Sequence, residues 1–249
     1  MKRPLTLALL PVLAAFAGPS AARTWSAPEG CEINMTVQAK GCRVSNHYIC
    51  SNDAKGDQWR ADFDQEGLFF QSRINFETQW VESISLGDGE VQYLGDVAED
   101  PASFSELLDT GLDTFDFTLT RNFGPDSRVI GFDRLTGRSI TIDGVVLEET
   151  EFEATEADLD GNPLRASRGH EYISRDKRMF FAGPGQTDLG DGQWVPIDGS
   201  PIDFIFPGEP GFAATRPLYD CDPLLTNAPA PQGPAQQGLE RLWRARYGE

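Results

Sequence analysis

Apolar and polar residues alternate one by one along most of this chain, and turn dipeptides break the alternation at short intervals. Ile33, Met35 and Val37 alternate with polar residues up to Lys40-Gly41, and Val44 to Cys50 returns. Trp59, Ala61 and Phe63 alternate with Arg60, Asp62 and Asp64, which reads as a strand with one wet face. Leu68, Phe70, Ser72, Ile74 and Phe76 share one side of the next run. Ile140 and Ile142 lead through Asp143-Gly144 into Val145 and Leu147. Asp-Gly between two apolar runs is a strong hairpin signal, because both central residues of that turn need positive φ. Residues 145–157 read as a long acidic strand, and Leu164 to Ser174 as its return. This pattern predicts a mainly β protein: an antiparallel, strongly curved sheet or an open β-barrel.

One segment departs from the alternation. Asp100 suits an N-cap and Pro101 the first helical position; Phe104, Leu107, Leu108 and Leu112 then follow helical spacing. A helix is expected over about 101–112, packed on the sheet by its Phe/Leu stripe. Elsewhere 25 Gly and 17 Pro recur too often for long helices, and 16 Phe with 5 Trp supply enough apolar bulk for a folded core.

The two ends read differently. Lys2 and Arg3, the uncharged apolar run Leu5–Ala17 and the small residues Ser20-Ala21-Ala22 have the layout of a secretory signal peptide over 1–22, with cleavage after Ala22. The apolar run is short for a membrane span, so the expected location is periplasmic or secreted. Residues 23–225 are expected to form a single β-rich domain, 226–238 a Pro/Gln/Gly-rich linker, and 239–249 a short amphipathic basic helix carrying Trp243. The net charge of −18 disfavours nucleic acid and anionic lipid as partners.

An oxidising compartment makes Cys31, Cys42, Cys50 and Cys221 a disulfide set. Cys42 and Cys50 lie on one strand, roughly 26 Å apart at the rise of an extended chain, too far to bridge. A two-residue turn at Lys40-Gly41 sets Ala39 opposite Cys42 and Cys31 opposite Cys50. The expected bridges are therefore Cys31–Cys50 and Cys42–Cys221. That count places Cys31 and Cys50 at a hydrogen-bonded pair, the wider of the two kinds, unless a bulge intervenes.

Motifs for chemistry are sparse. The chain past Ala22 has no G-x-S-x-G, no phosphate loop, no dinucleotide fingerprint and no CxxC, and its histidines are His47 and His170 alone. Asp158-x-Asp160-Gly161-Asn162 matches part of a calcium loop but lacks its distal Glu. No catalytic residue, cofactor or metal is assigned. The aromatics carry the remaining signal: Phe69-Phe70 and Phe180-Phe181 put rings on both faces of their strands. Phe70, Trp80, Phe181 and Trp243 are the candidate contacts for a ligand or partner. The expected function is a non-enzymatic binding or structural role, cradling an apolar small molecule or docking an envelope protein. The alternative is a carboxylate-based extracytoplasmic hydrolase, which would need two inward carboxylates in an open cleft.

Overall fold

The computed structural model describes residues 24–222. The proposed signal peptide, linker and C-terminal helix, and Trp243 with them, lie outside the described residues. The described chain is mainly β, a single antiparallel sheet of 13 strands that curves strongly without closing. Its strands are β1 (Cys31–Ala39), β2 (Arg43–Cys50), β3 (Gln58–Phe63), β4 (Leu68–Ile74), β5 (Trp80–Ser85), β6 (Val91–Asp100), β7 (Leu112–Arg121), β8 (Ser127–Ile142), β9 (Val145–Asp158), β10 (Pro163–Ser174), β11 (Met179–Asp188), β12 (Val195–Asp198) and β13 (Pro201–Ile205). The first twelve form a meander, each beside its predecessor, and β13 pairs with β1. One helix among the described residues, α1 (Phe104–Thr110), lies between β6 and β7.

The helix is shorter than the spacing predicts. Asp100 does not cap it; it ends β6 and accepts the Thr114 hydroxyl at 2.6 Å. Ser103 is the cap, its Oγ accepting the Glu106 N–H at 3.2 Å, and Gly111 closes the other end in the left-handed region. Two acidic anchors outside the helix favour Ser103. Asp113 accepts the Ser103 N–H, and Glu77 accepts both the N–H and the hydroxyl of Ser105 at 2.8 Å. Leu112 belongs to β7, while Phe104 and Leu107 are buried against Ile173, as the expected stripe requires.

The β8–β9 hairpin turns at Asp143-Gly144, with φ of 47° and 79° and Ile142 opposite Val145. Gly144 meets there the left-handed geometry that a side chain resists. Thr136, Gly137 and Arg138 form a bulge inside the continuous β8, between Leu135 and Ser139.

The first hairpin differs from expectation by one residue. Ala39 lies opposite Arg43, not Cys42, because Cys42 itself joins the turn at φ 55°. A bulge at Asn34, between Ile33 and Met35, then restores Cys31 opposite Cys50. That bulge also changes the kind of pair. The Ser51 N–H donates to the Gly30 carbonyl at 2.9 Å, which flanks Cys31 and Cys50 as a close, non-hydrogen-bonded pair with Cα atoms 4.0 Å apart. The disulfides are Cys31–Cys50 and Cys42–Cys221.

The stretches Met35–Ala39 of β1 and Val44–Tyr48 of β2 are buried on both faces. On one face Thr36, Gln38 and Asn46 are 0%, 1% and 0% exposed although polar. A strap of irregular chain, residues 212–221, covers them. Ala213 N–H donates to Thr36 Oγ1 at 2.8 Å, Gln38 bonds Arg216 O and Leu218 N, and Asn46 Nδ2 donates to Ala214 O. An irregular segment cannot satisfy its own backbone groups, so the polar side chains beneath it serve as partners. Cys42–Cys221 pins the end of the strap. No helix among the described residues is long and apolar enough to cross a membrane.

Candidate functional site

The sheet curls until its two ends approach, and the chain itself crosses the gap from β12 to β13. Phe181 of β11 meets Phe204 of β13 edge-on, ring centroids 5.1 Å apart. Lys40 pairs with Asp198 at 2.7 Å, and the Lys40 N–H donates to Ser200 O. Gly199 is tight against the seam: a methyl there would sit 2.9 Å from Ala182 Cβ and 3.0 Å from an Arg43 guanidinium nitrogen. Its carbonyl accepts from that same Arg43 at 3.2 Å.

A cleft lies along this seam. Its walls are Val37, Ala39 and Pro201 on one side and Phe180, Phe181 and Ala182 on the other, and Arg43, Ser45, His47 and Arg60 also line it. The enclosed space is about that of a single water. The strand register explains the gathering. Ala39 opposes Arg43, Val37 opposes Ser45, Met35 opposes His47, Ser45 opposes Asp62 and His47 opposes Arg60, so these rows share one face.

The Asp62 side of β3, read as a wet face, is not wet. Asp62 is 1% exposed, accepts the Ser45 hydroxyl at 2.6 Å and pairs with Arg60 Nε at 3.1 Å. His47 is 6% exposed, and its ring has no hydrogen-bond partner among the described residues and stands 5.9 Å from that of Phe181. Burial, with Arg60 and Arg43 nearby, drives its pKa down to about 3, so the ring is neutral. Arg43 Nε is buried with no acceptor, and Arg60 Nε has an ion-pair neighbour but no hydrogen bond of good geometry. Burial lowers the Arg43 pKa from its usual value.

Behind the two arginines sit carboxyls. Burial raises the pKa of Glu171 on β10 to about 7, against the pull of Arg60 and Arg43. Asp133 on β8 is pushed well above its usual range by burial, then by Glu171 and Asp113. Asp113, beside the helix cap, is raised to about 6 by burial, opposed by the Ser103 N–H. Neither Glu171 nor Asp133 is among the residues that line the cleft.

The acidic strand β9 is a different matter. Glu149 pairs with Arg138 and Glu151 with Arg134, both from β8, and Glu148 with Arg175 of the β10–β11 turn. Glu156, 6% exposed, is held by Arg121, Arg165 and the Ser127 hydroxyl. His170 faces outward, 3.8 Å from Glu149. Asp158 accepts the N–H groups of Asp160 and Asn162, so its loop is knitted by its own backbone. No cluster of three or more candidate metal ligands occurs among the described residues.

Of the aromatic candidates, Phe181 forms a cleft wall and Phe70 lies half-buried under the Arg60 guanidinium, 5.8 Å from carbon to ring centroid. Trp80 is elsewhere, 41% exposed on β5 and edge-on to Phe117. Sequence reasoning passed over Arg43, His47, Arg60 and Glu171. Their signal was present: Arg43, Ser45 and His47 are spaced by two, and Arg60 and Asp62 likewise. Comparison of the chain with protein-family models, curated proteins and solved structures finds no significant match.

Proposed function

We propose that this is an extracytoplasmic binding protein without catalysis, and that it holds a small ligand in the seam cleft. One observation carries the reading: the cleft lining combines aromatic and aliphatic walls with two guanidiniums and a neutral histidine, and carries no carboxylate. Apolar walls with a few convergent polar groups are the usual make-up of a ligand site. The water-sized floor suits a ligand's polar end, with any apolar part against Phe180 and Phe181. The signal-peptide layout of residues 1–22 and the two disulfides support a periplasmic or secreted location. Native mass spectrometry of the oxidised protein, purified from its own host, tests the reading. A species heavier by one small molecule, absent in Arg43→Gln, is expected; bare protein mass alone counts against it.

The second reading, a carboxylate-based hydrolase, draws on Glu171 and Asp133, two carboxyls whose pKa values are both raised, Asp133 in part by Glu171. It requires turnover of an aryl-glycoside or ester panel that Glu171→Gln and Asp133→Asn each abolish.

A further inference from the structure

The charges around the cleft do not settle into pairs. Asp62 is already committed to Ser45 and Arg60. Arg43 gives one guanidinium nitrogen to a neutral carbonyl and leaves its Nε unaccepted. The Glu171 carboxyl, which the two guanidiniums attract, has no hydrogen bond or close ion pair among the described residues. His47 is nine-tenths buried, unpartnered and lines the same space. Buried donors left without acceptors are costly and point to a missing acceptor.

Building on the seam-cleft reading, we infer that the group seated there is the carboxylate of a small monocarboxylic acid, held between Arg43 and Arg60, and that it replaces Glu171 as their counter-charge. Three features select this chemistry. The guanidinium fork matches a planar carboxylate better than a spherical ion. The water-sized floor admits a short acid and not a bulky one. The charge count permits one negative charge: with Glu171 neutral, Arg43, Arg60 and Asp62 leave a single net positive charge for the ligand to cancel.

A second anion beside Glu171 makes that residue take a proton from solvent. The groups facing Glu171 are Arg43 on β2, Arg60 on β3 and Asp133 on β8, with Asp113 acting on Asp133 in turn. Burial and Glu171 both push Asp133 well above its usual range. Because Glu171 titrates at about 7 in the empty protein, the binding-competent form dominates at pH 6 and is the minor form at pH 8. Affinity therefore falls about tenfold from pH 6 to pH 8, while a short carboxylic acid is ionised at both.

Titration of the full oxidised protein with propionate, followed through the arginine Nε–H signals by nitrogen-edited NMR, tests the inference. Arg43→Gln and Arg60→Gln assign the signals. Saturable shifts of both are expected at pH 6, about tenfold weaker at pH 8, with propionamide inert and chloride and sulfate weaker than propionate. Glu171→Gln, which imitates the protonated acid, should bind with equal strength at both pH values. Equal response to chloride or propionamide overturns the carboxylate assignment, as does no saturable shift at pH 6. An unchanged pH dependence in Glu171→Gln overturns the exchange of counter-charge. Should that variant not fold, proton uptake on the unsubstituted protein, measured by calorimetry in two buffers of different ionisation enthalpy, decides the same point. A neutral ligand carried through purification would sink this inference and leave the seam-cleft reading standing.

Discussion

His47 shows how a neighbourhood sets a side chain's chemistry. In the unfolded chain its imidazole titrates near 6.5; in the fold it resists a proton down to about 3. The folded value is the lower one, so the unfolded state binds the extra proton between them. His47 thus contributes stability that is complete above about pH 6.5 and is lost as pH falls toward 3, by up to about 1.4 kcal/mol per pH unit. Glu171 and Asp113 work in the opposite sense, since their folded values are raised: their contribution is complete in acid and lost as pH rises through about 6 and 7. The unsubstituted protein sums these opposing slopes. His47→Gln removes one of them, and is expected to lose less thermal stability than the parent between pH 7 and pH 4.5. Parallel losses in the two proteins would show that His47 is not buried as described.

Among the elements, α1 and the first hairpin carry the lesson about boundaries. Helical spacing located Phe104 and Leu107 correctly because those residues bury, and burial leaves a period. The start was misplaced because Asp100 and Ser103 are both good caps in isolation, and the choice belongs to Glu77, from the β4–β5 turn, and Asp113 of β7. Ser103→Ala should therefore cost about 1 kcal/mol, read as a lowered urea midpoint at unchanged slope. Asp100→Ala loses only an exposed bond to Thr114 and should cost less. Equal effects would return the cap to Asp100. In the hairpin, the bulge at Asn34 and the left-handed Cys42 cancel in register, so Cys31 meets Cys50 although the turn is one residue longer than a dipeptide turn. No local signal announces a bulge that repairs a distant count.

For the molecule as a whole, the strap and its bridge close the architecture. Cys42–Cys221 spans 179 residues and Cys31–Cys50 spans 19. In the chain-entropy model the long loop is worth about 5 kcal/mol and the short one about 3 kcal/mol. Replacing Cys42 and Cys221 by Ser should lower the thermal midpoint more than replacing Cys31 and Cys50. It should also speed hydrogen exchange at Ala213 and Leu218, which donate to Thr36 and Gln38; protection unchanged at those amides would mean the strap holds by hydrogen bonds alone. The alternation of apolar and polar residues was enough to read off strands, a curved antiparallel sheet and the Asp143-Gly144 turn, because each depends on neighbours a few positions away. The same alternation misjudged Asp62 as water-facing, and it gave no sign that Thr36, Gln38 and Asn46 lie buried under a strap. A side chain's polarity says which partners it needs, and water, a strap 168 to 178 residues off or an arginine on the same strand can each supply them. The cleft arises the same way: Arg43, His47 and Arg60 meet Phe180 and Phe181 only where the sheet's curvature brings β11 toward β2 and β3.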